Sequence, residues 1–508
     1  MTNQIEKQNL ASLPYSVYSA DWLRQAEADA ARDTGLSLFT LMQRAAAAAF
    51  RLARSKFPYA TEWLVLCGHG NNGGDGYEVA RLAKLAGLNV TLLADSSEKR
   101  LPDEAEQARN GWIAAGGEIN NIAAPWPENS SLIIDALLGT GLSSAPREPI
   151  ASYIKAINQH SAPAVALDTP SGLAAETGTA AGEVVRAALT VTFIALKPGL
   201  LTGQARDYVG ELHCDALGLQ SWLSGHRPLM QRLDVDRLSE WLHPRRPCSH
   251  KGEHGHLLLV GGDTGFAGAI RMASEAALRS GAGMVRVLTH KDHMGPLLTA
   301  RPELMVQELT KESIKDGLEW ASAVVMGPGL GQNEWGQSAF KQISASDKPA
   351  LWDADALNML AKAPEKRQNR VLTPHPGEAA RLLDCSVKDI ESDRLLSLHR
   401  LVQRYGGVVV LKGAGTLIGS QEGHIALADV GNAGMATGGM GDILSGIIGG
   451  LLAQKLSFYD AACAGTVVHG VAADIIAQRQ GTRGMLATDL LHWIAPTVNP
   501  DLKNRNHP

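Results

Sequence analysis

Cysteine is scarce: five residues in 508, at Cys67, Cys214, Cys248, Cys385 and Cys463. An odd, scattered set without a Cys-x-x-Cys argues against a disulfide framework and reads as the reduced thiols of a cytoplasmic protein. Positive charge is not in excess either. Lys and Arg number 47 against 52 Asp and Glu, a formal charge of −5 with no basic cluster. That argues against nucleic acid as the main partner. No run of 18 consecutive apolar residues occurs, so no membrane span is expected. Asp21, Arg24, Glu27 and Asp29 break any apolar stretch near the start, so no signal peptide is expected. No segment recurs with a period of 20–50 residues, which excludes a repeat array. No Gly-x-x-x-x-Gly-Lys-Ser/Thr occurs, which excludes a Walker A loop.

What is present is a globular composition, 45% hydrophobic and 19% charged. At ~150 residues per domain the length suggests two to four domains. Residues 15–57 read as helical, with an alanine run at Ala45 to Ala49. Leu36, Leu38, Phe39, Leu41 and Met42 form an apolar stripe for the core or for a partner subunit. Strand-like runs then alternate with helical ones: Trp63 to Cys67, Asn89 to Ala94, Ser131 to Leu138, Ala164 to Asp168, Leu189 to Leu196 and Gly210 to Cys214. The helical runs between them are Tyr77 to Ala86, Glu104 to Ala115 and Ile150 to Asn158. Such alternation predicts a parallel sheet with helices on both faces, and ligands beyond the carboxyl ends of the strands.

The loops at those ends carry the chemistry. Gly68, Gly70 and Gly73 satisfy Gly-x-Gly-x-x-Gly, with Asp95 lying 22 residues beyond Gly73. This outwardly matches a dinucleotide fingerprint. An ordinary nicotinamide dehydrogenase is disfavoured, because Asp75 would lie near the pyrophosphate and Asn71-Asn72 is unusual there. Asn72, Asp135 and Ser171, from three loops, can converge as oxygen donors. With one formal charge they suit a monovalent cation, or else they hydrogen-bond one another without a metal. Asp168, at a strand end, is a candidate acid/base.

Asn-Asn-Gly-Gly-Asp-Gly, Asp-Ala-Leu-Leu-Gly-Thr-Gly and Asp-Thr-Pro-Ser-Gly-Leu, in that order, resemble the NAD(P)H-hydrate epimerase domain over about residues 15–220. The resemblance implies a Rossmann-like three-layer αβα fold that interconverts the two C6 epimers of hydrated NADH or NADPH with a potassium ion. It implies that Asn71, Asn72, Gly73, Gly74 and Asp75, with Gly139, Thr140, Gly141, Leu142, Ser143, Ser144 and Ala145, hold the hydrate. Potassium falls to Asn72, Asp135 and Ser171, and Asp168 becomes the catalytic candidate. Lys197 is a weaker one, since a solvated lysine at a strand end reads equally well.

Residues 219–250, with Pro228, Pro244 and Pro247, read as a linker, dividing the chain into 1–220 and 221–508. His243, His250, His254 and His256 lack metal-ligand spacing and read as ordinary surface or core residues. A second alternation begins at His256. Its loops hold Gly265 to Arg271, Gly327-Pro-Gly-Leu-Gly331, Asp353 to Asn358, Thr373 to Glu378 and Lys412-Gly-Ala-Gly-Thr416. Then comes Asn432-Ala-Gly-Met-Ala-Thr-Gly-Gly-Met-Gly-Asp-Ile-Leu-Ser445, where glycines crowd around Asp442 just before an apolar run. Glycine allows close backbone approach, and a helix start aims free N–H groups at an anion. A carboxylate there is awkward beside a phosphate unless it takes a proton from a hydroxyl that attacks the phosphate. The alternative is a plain helix cap.

These motifs resemble the ribokinase-like fold, and within it the NAD(P)H-hydrate dehydratase, over about residues 230–500. A ribokinase-like three-layer αβα domain following the Rossmann-like one matches the bifunctional NAD(P)H-hydrate repair family. The resemblance implies that Ala269, Gly329, His375 and Asp442 meet the hydrate. It gives the nucleotide, ADP with Mg2+, to Lys412, Gly413, Ala414, Gly415, Thr416 and Gly441, with Asp442 catalytic. The expected partners are the hydrates NADHX and NADPHX, ADP, and further copies of the chain in a homo-oligomer. Nucleic acid and membrane are not expected. Two rivals use the same residues: a ribokinase-like small-molecule kinase with a regulatory nucleotide-binding N-terminal domain, and a first domain that binds without chemistry.

Overall fold

The computed structural model describes residues 13–94, 100–142 and 144–500. Asp95 and Ser143 lie outside the described residues. Contacts divide the chain into two compact units, Met1–Gln231 and Arg232–Pro508.

In the first unit, strands β1 (Glu62–Cys67), β2 (Asn89–Ala94), β3 (Asn120–Asn121), β4 (Leu132–Ala136), β5 (Ala164–Leu167), β6 (Leu189–Phe193) and β7 (Glu211–Asp215) form one sheet. They lie in the order β3-β2-β1-β4-β5-β6-β7, all neighbours parallel. Val65 of β1 pairs with Leu92 on one side and Ile134 on the other. The chain winds outward from β1, then returns to lay β4 on its other side. The crevice at this switch point is where ligands of such sheets bind. Why the runs are near-continuously apolar is clear in β1. Trp63, Val65 and Cys67 enter the core on one face, and Leu64 and Leu66 that on the other. Helices Ala20–Thr34 and Leu38–Lys56 begin on Ser19 and Ser37, whose hydroxyls cap Trp22 N and Thr40 N. Leu41 and Met42 are buried, and Leu36, Leu38 and Phe39 pack against the same core.

The segment after β1 departs from the expected loop. Helix Asn71–Leu85 starts six residues before the sequence places it and takes up Asn71 to Asp75. Three glycines, Gly73, Gly74 and Gly76, disfavour helix, but tertiary packing decides. A Cβ on Gly73 would come 2.0 Å from the Gly68 carbonyl oxygen, and one on Gly76 2.7 Å from Ala136 Cβ. The linker is partly ordered, as its apolar residues Leu233, Val235, Leu238, Trp241 and Leu242 suggest, with helix Gln220–Ser224 and strand Met230–Leu233.

The second unit carries β8 (His256–Val260), β9 (Met284–Thr289), β10 (Met305–Glu308), β11 (Ala323–Met326), β12 (Ala350–Trp352), β13 (Arg370–Leu372), β14 (Val408–Leu411), β15 (Thr416–Ser420) and β16 (Ile425–Ala428). Their order is β16-β15-β14-β13-β12-β11-β8-β9-β10. From β14 to β10 neighbours run parallel, while β14–β15 and β15–β16 are antiparallel. Here the switch point lies between β8 and β11. Helix Met440–Ala453 begins three residues earlier than the apolar run suggests, so Asp442 belongs to its first turn. It packs on helix Ala267–Arg279 so tightly that a Cβ on Gly446 would lie 2.0 Å from the Ala273 carbonyl oxygen. Helix Phe458–Gln480 is long and apolar enough to cross a membrane, but its apolar residues are mostly buried in this core.

Candidate functional site

In the first unit the loops after β1, β4, β5 and β6 enclose a cavity of about 970 Å³. Asn71, Asn72, Asp75, Gly139 to Leu142, Ser144, Ala145, Asp168 and Lys197 all line it. Asp168 follows β5 with φ 63°, a left-handed conformation rare outside glycine. Its Oδ1 accepts hydrogen bonds from Thr192 Oγ1 (3.1 Å) and Phe193 N (3.2 Å) and pairs directly with Lys197 Nζ. Lys197 also donates to Thr192 Oγ1 (2.8 Å) and the Phe193 carbonyl (3.0 Å) and is 3% exposed. The solvated reading of Lys197 is therefore overturned: β6 and the turn after it fold the ammonium onto Asp168.

Asn72, Asp135 and Ser171 do converge. Asp135 is fully buried; it accepts from Ser171 N (2.9 Å) and Ser171 Oγ (2.6 Å). Burial pushes its carboxyl up to about 6 despite these hydrogen bonds. Asn72 Nδ2 donates to the Leu138 carbonyl (2.8 Å), and that carbonyl also lies 3.2 Å from Ser171 Oγ. Asn72 Oδ1 is buried without a partner. An orphaned amide oxygen, joined through the Leu138 carbonyl and Ser171 to a buried carboxylate, is a donor set that fits a cation, since each gains what burial denies it.

Three further acids face the cavity: Glu27 and Glu104, from helices Ala20–Thr34 and Asp103–Ala114, and Glu148, from the loop after β4. A lone helical glutamate carries no signal in the sequence. Burial and then the Asp168 carboxylate raise the Glu27 pKa; the same causes, in the same order, raise Asp75 well above the carboxylate range.

In the second unit His375, Gly441 and Asp442 gather around Lys412. Its ammonium donates to Asp353 Oδ1 (2.9 Å) and lies 3.7 Å from Glu378 Oε2. Burial opposes the Lys412 charge, but Asp353 and Glu378 more than restore it and raise its pKa. Asp353 is buried, and its Oδ2 accepts from Ser445 Oγ (2.7 Å) in the helix that carries Asp442. A Cβ on Gly441 would lie 3.3 Å from Lys412 Nζ and 3.5 Å from Asp353 Oδ2. Burial foremost, then the Asp353 carboxylate, push Asp442 up to about 7, against the pull of Lys412. That value suits a general base at neutral pH.

The loop Gly413 to Thr416 is held from beneath by buried Arg394, which donates to the Leu411 (3.2 Å) and Lys412 (3.1 Å) carbonyls. Thr416 Oγ1 donates to the Gly413 carbonyl (3.0 Å). His375 caps helix Pro376–Leu383: Nδ1 accepts from Gly377 N (3.0 Å) and Glu378 N (3.4 Å). Burial, then Lys412, lower its pKa, so the neutral ring carries its proton on Nε2. Ala269 and Gly329 also meet, since a Cβ on Gly329 would lie 3.3 Å from Ala269 Cβ. Asp353, Glu378 and Ser445 stood within quoted motifs, but only the fold joins them.

Together these clusters define an enzyme of two αβα units. One has an Asp–Lys pair in a dinucleotide-sized cavity, the other a near-neutral carboxyl at a glycine-rich helix start. Comparison with known proteins gives the family. Residues 257–496 match the family described as NAD(P)H-hydrate dehydratase, and residues 38–199 the family described as YjeF-related protein N-terminus. The chain is 61% identical over 507 residues to the bifunctional NAD(P)H-hydrate repair enzyme Nnr of Escherichia coli, covering 100% of this chain and 98% of that protein. It is 45% identical over 539 residues to the bifunctional NAD(P)H-hydrate repair enzyme of Leishmania major, covering 98% and 96%. A ribokinase-like superfamily protein of Enterococcus faecalis matches 54% of this chain and 97% of its own, at 29% identity and TM-score 0.50. The chain belongs to the family of bifunctional NAD(P)H-hydrate repair enzymes. Full-length identity of this order disfavours both the kinase and the pure-binding readings.

Proposed function

We propose that the N-terminal domain, residues 1–220 within the first unit, epimerises the R and S hydrates of NADH and NADPH. Residues 221–508 then dehydrate the S hydrate to NAD(P)H at the expense of ADP, giving AMP and phosphate. In the first unit Asn71 to Asp75 and Gly139 to Ala145 hold the hydrate, and Asp168 exchanges protons with it. Potassium would be held by Asn72, Asp135 and Ser171, where a positive charge would complement the buried Asp135 carboxylate.

In the second unit Ala269, Gly329 and His375 position the hydrate, and Lys412 to Thr416 with Gly441 hold the nucleotide. Asp442 takes the C6 hydroxyl proton, and the oxygen attacks the terminal phosphoryl of ADP, releasing AMP. Hydroxide, a poor leaving group, thereby becomes phosphate. The N1 lone pair expels phosphate from C6, and loss of a C5 proton restores the 5,6 double bond. Bound Mg2+ supplies charge neutralisation on the phosphates.

The observation that carries this reading is Asp442, pushed up to about 7 in the first turn of a helix whose start is lined by glycine and Lys412. The test is reduced-nicotinamide absorbance after the protein is added to hydrated NADH with Mg2+ and either ADP or ATP. Recovery of the whole epimer mixture with ADP is expected. Recovery with ATP alone would change the nucleotide. Recovery that stops at one epimer's fraction would remove the epimerase assignment. The assembly is a homo-oligomer in this reading, and the compartment is the cytoplasm, supported by five free thiols.

A further inference from the structure

The C6 centre of the hydrate bears both a hydroxyl and the ring nitrogen N1, so it is a hemiaminal. Two bonds can break to erase its configuration. Loss of C6–O expels hydroxide. Loss of C6–N1 opens the ring to an aldehyde, and needs a base at the hydroxyl and an acid at N1. The epimerase cavity holds more carboxyl groups than a single base requires.

Glu27 and Glu104 are the two that the substrate-holding loops do not supply, and Glu27 is the one on which both Asp168 and Lys197 act. It lies on helix Ala20–Thr34 one turn after Leu23, and both side chains line the cavity with Asp168 and Lys197. The helix is fixed at its start. Glu176 Oε2 accepts from Ala20 N (2.6 Å) and Ser19 Oγ (3.2 Å), and Ser19 Oγ caps Trp22 N. Trp22 stacks on Tyr18, with ring centroids 5.4 Å apart. Glu27 is therefore a carboxyl on a rigid element, not on a loop. Asp75, Glu104, Asp168 and Lys197 act on it from four other segments, and Arg24, His69, Arg147 and Glu148 complete the ionisable wall of the cavity. Burial and Asp168 favour its neutral form, while Asp168 itself is the carboxylate of an ion pair with Lys197. One cavity thus presents an acid and a base, the division of roles that two environments impose on two carboxyls.

We propose that Glu27 is a second catalytic residue of the epimerase, giving its proton to N1 while Asp168 takes the proton of the C6 hydroxyl. This rests on the reading of Asp168 above. The electron pair left on oxygen by loss of the O–H proton forms the aldehyde C=O. The C6–N1 pair passes to N1, which Glu27 protonates to an enamine N–H conjugated with the carboxamide. Rotation about C5–C6 presents the other face. N1 re-adds, its proton returns to Glu27, and Asp168 protonates the oxygen. No oxidant, reductant or co-reactant is consumed.

The test uses the full chain and a single purified hydrate epimer without nucleotide, in 18O-water, with the other epimer followed by chromatography and mass. Glu27→Gln should lower kcat about 100-fold or more with KM within a few-fold, and Glu27→Asp should recover part of it. Wild-type kcat should fall at alkaline pH as the acid deprotonates, and that limb should vanish in Glu27→Gln. Product oxygen should carry far less than one label per turnover. A Glu27→Gln kcat near wild type, loss of the alkaline limb in Asp75→Asn instead, or one 18O per turnover would each overturn the proposal. Thermal unfolding of each variant separates misfolding from lost chemistry. If Asp168→Asn keeps full rate, or the wild type interconverts nothing, the underlying reading of the cavity falls instead.

Discussion

Asp353 and Ser445 stand 92 residues apart and share a 2.7 Å hydrogen bond, Ser445 Oγ donating to Asp353 Oδ2. The other carboxylate oxygen holds Lys412. One buried side chain thus ties the strand end after β12 to the proposed nucleotide loop and to the helix of Asp442. Removing one partner of a buried pair leaves the other charge uncompensated, at a cost of about 3–5 kcal/mol. Asp353→Asn is expected to lower the melting temperature of the second unit and to raise the KM for ADP. Ser445→Ala removes one hydrogen bond to a charged group, worth about 1.5–3 kcal/mol, and should show the same effects more weakly. Calorimetry and ADP titration of both variants check this; an unchanged KM in Asp353→Asn would detach Lys412 from the nucleotide.

Asp442 must be ionised to accept a proton, and its pKa is pushed up to about 7. Dehydratase kcat should therefore rise through pH 7 and level off above it. Asp442→Asn should abolish dehydration and leave epimerisation intact. Stability has the opposite slope. A carboxyl whose folded pKa is raised binds its proton in the native state where the unfolded chain has lost it, so stability falls as pH rises from about 4 to about 7. Asp442→Asn should flatten that decline, as denaturant unfolding between pH 5 and 8 would show.

Much of this architecture was legible in the residues. Apolar runs such as Trp63 to Cys67 are strands because both faces of the sheet are covered, and the glycine-rich loops follow them as the switch-point rule requires. Most motif residues of the first half line one cavity, while those of the second gather around Lys412 and, separately, at Gly329. What stayed hidden depends on the fold in three dimensions. Asn71 to Asp75 join a helix because Gly73 and Gly76 must pack against Gly68 and Ala136, and propensity yields to that contact. Lys197 is buried because Asp168, 29 residues earlier, turns back through a left-handed backbone to meet it. Glu27 and Glu104 lie on ordinary helix faces that only the finished cavity makes functional.

The Asp168–Lys197 pair gives a separable prediction. Lys197→Met leaves Asp168 beside the cavity without its cation, so epimerisation kcat should fall by two orders of magnitude or more, about the contribution of general acid–base catalysis. Asp168→Ala should do the same while hydrate affinity holds. Epimer interconversion and equilibrium binding of a non-reactive analogue check both. A loss of affinity equal to the loss of rate would return the pair to a binding role.

Helix Met440–Ala453 meets helix Ala267–Arg279 with no room for a side chain at Gly446. Gly446→Val should destabilise by about 1–3 kcal/mol, because overpacking forces the helices apart. Since Asp442 is one turn away, dehydration should fall further than stability alone accounts for, and epimerisation should not change. Melting curves with paired activity assays would show this; a fully active variant would mean that the helix start does not need this close packing.

Potassium gives the last test. Asn72 Oδ1 is buried without a hydrogen-bond partner, and the Asp135 carboxyl, linked to Asn72 through Ser171 and the Leu138 carbonyl, is held up at about 6 by burial. A cation between them would satisfy the amide oxygen and favour the ionised carboxylate. Binding should therefore strengthen as pH rises through 6 and release a proton. Dialysis into a large organic cation should lower the melting temperature of the first unit, and potassium should restore it better than lithium. Asn72→Ala should remove that response; it lowers the stability of the cation-free protein by the lost hydrogen bond to the Leu138 carbonyl, about 1 kcal/mol, offset in part because the unpartnered oxygen goes with the side chain. A melting temperature indifferent to potassium in the wild type would leave Asn72, Asp135 and Ser171 as a hydrogen-bonded loop junction.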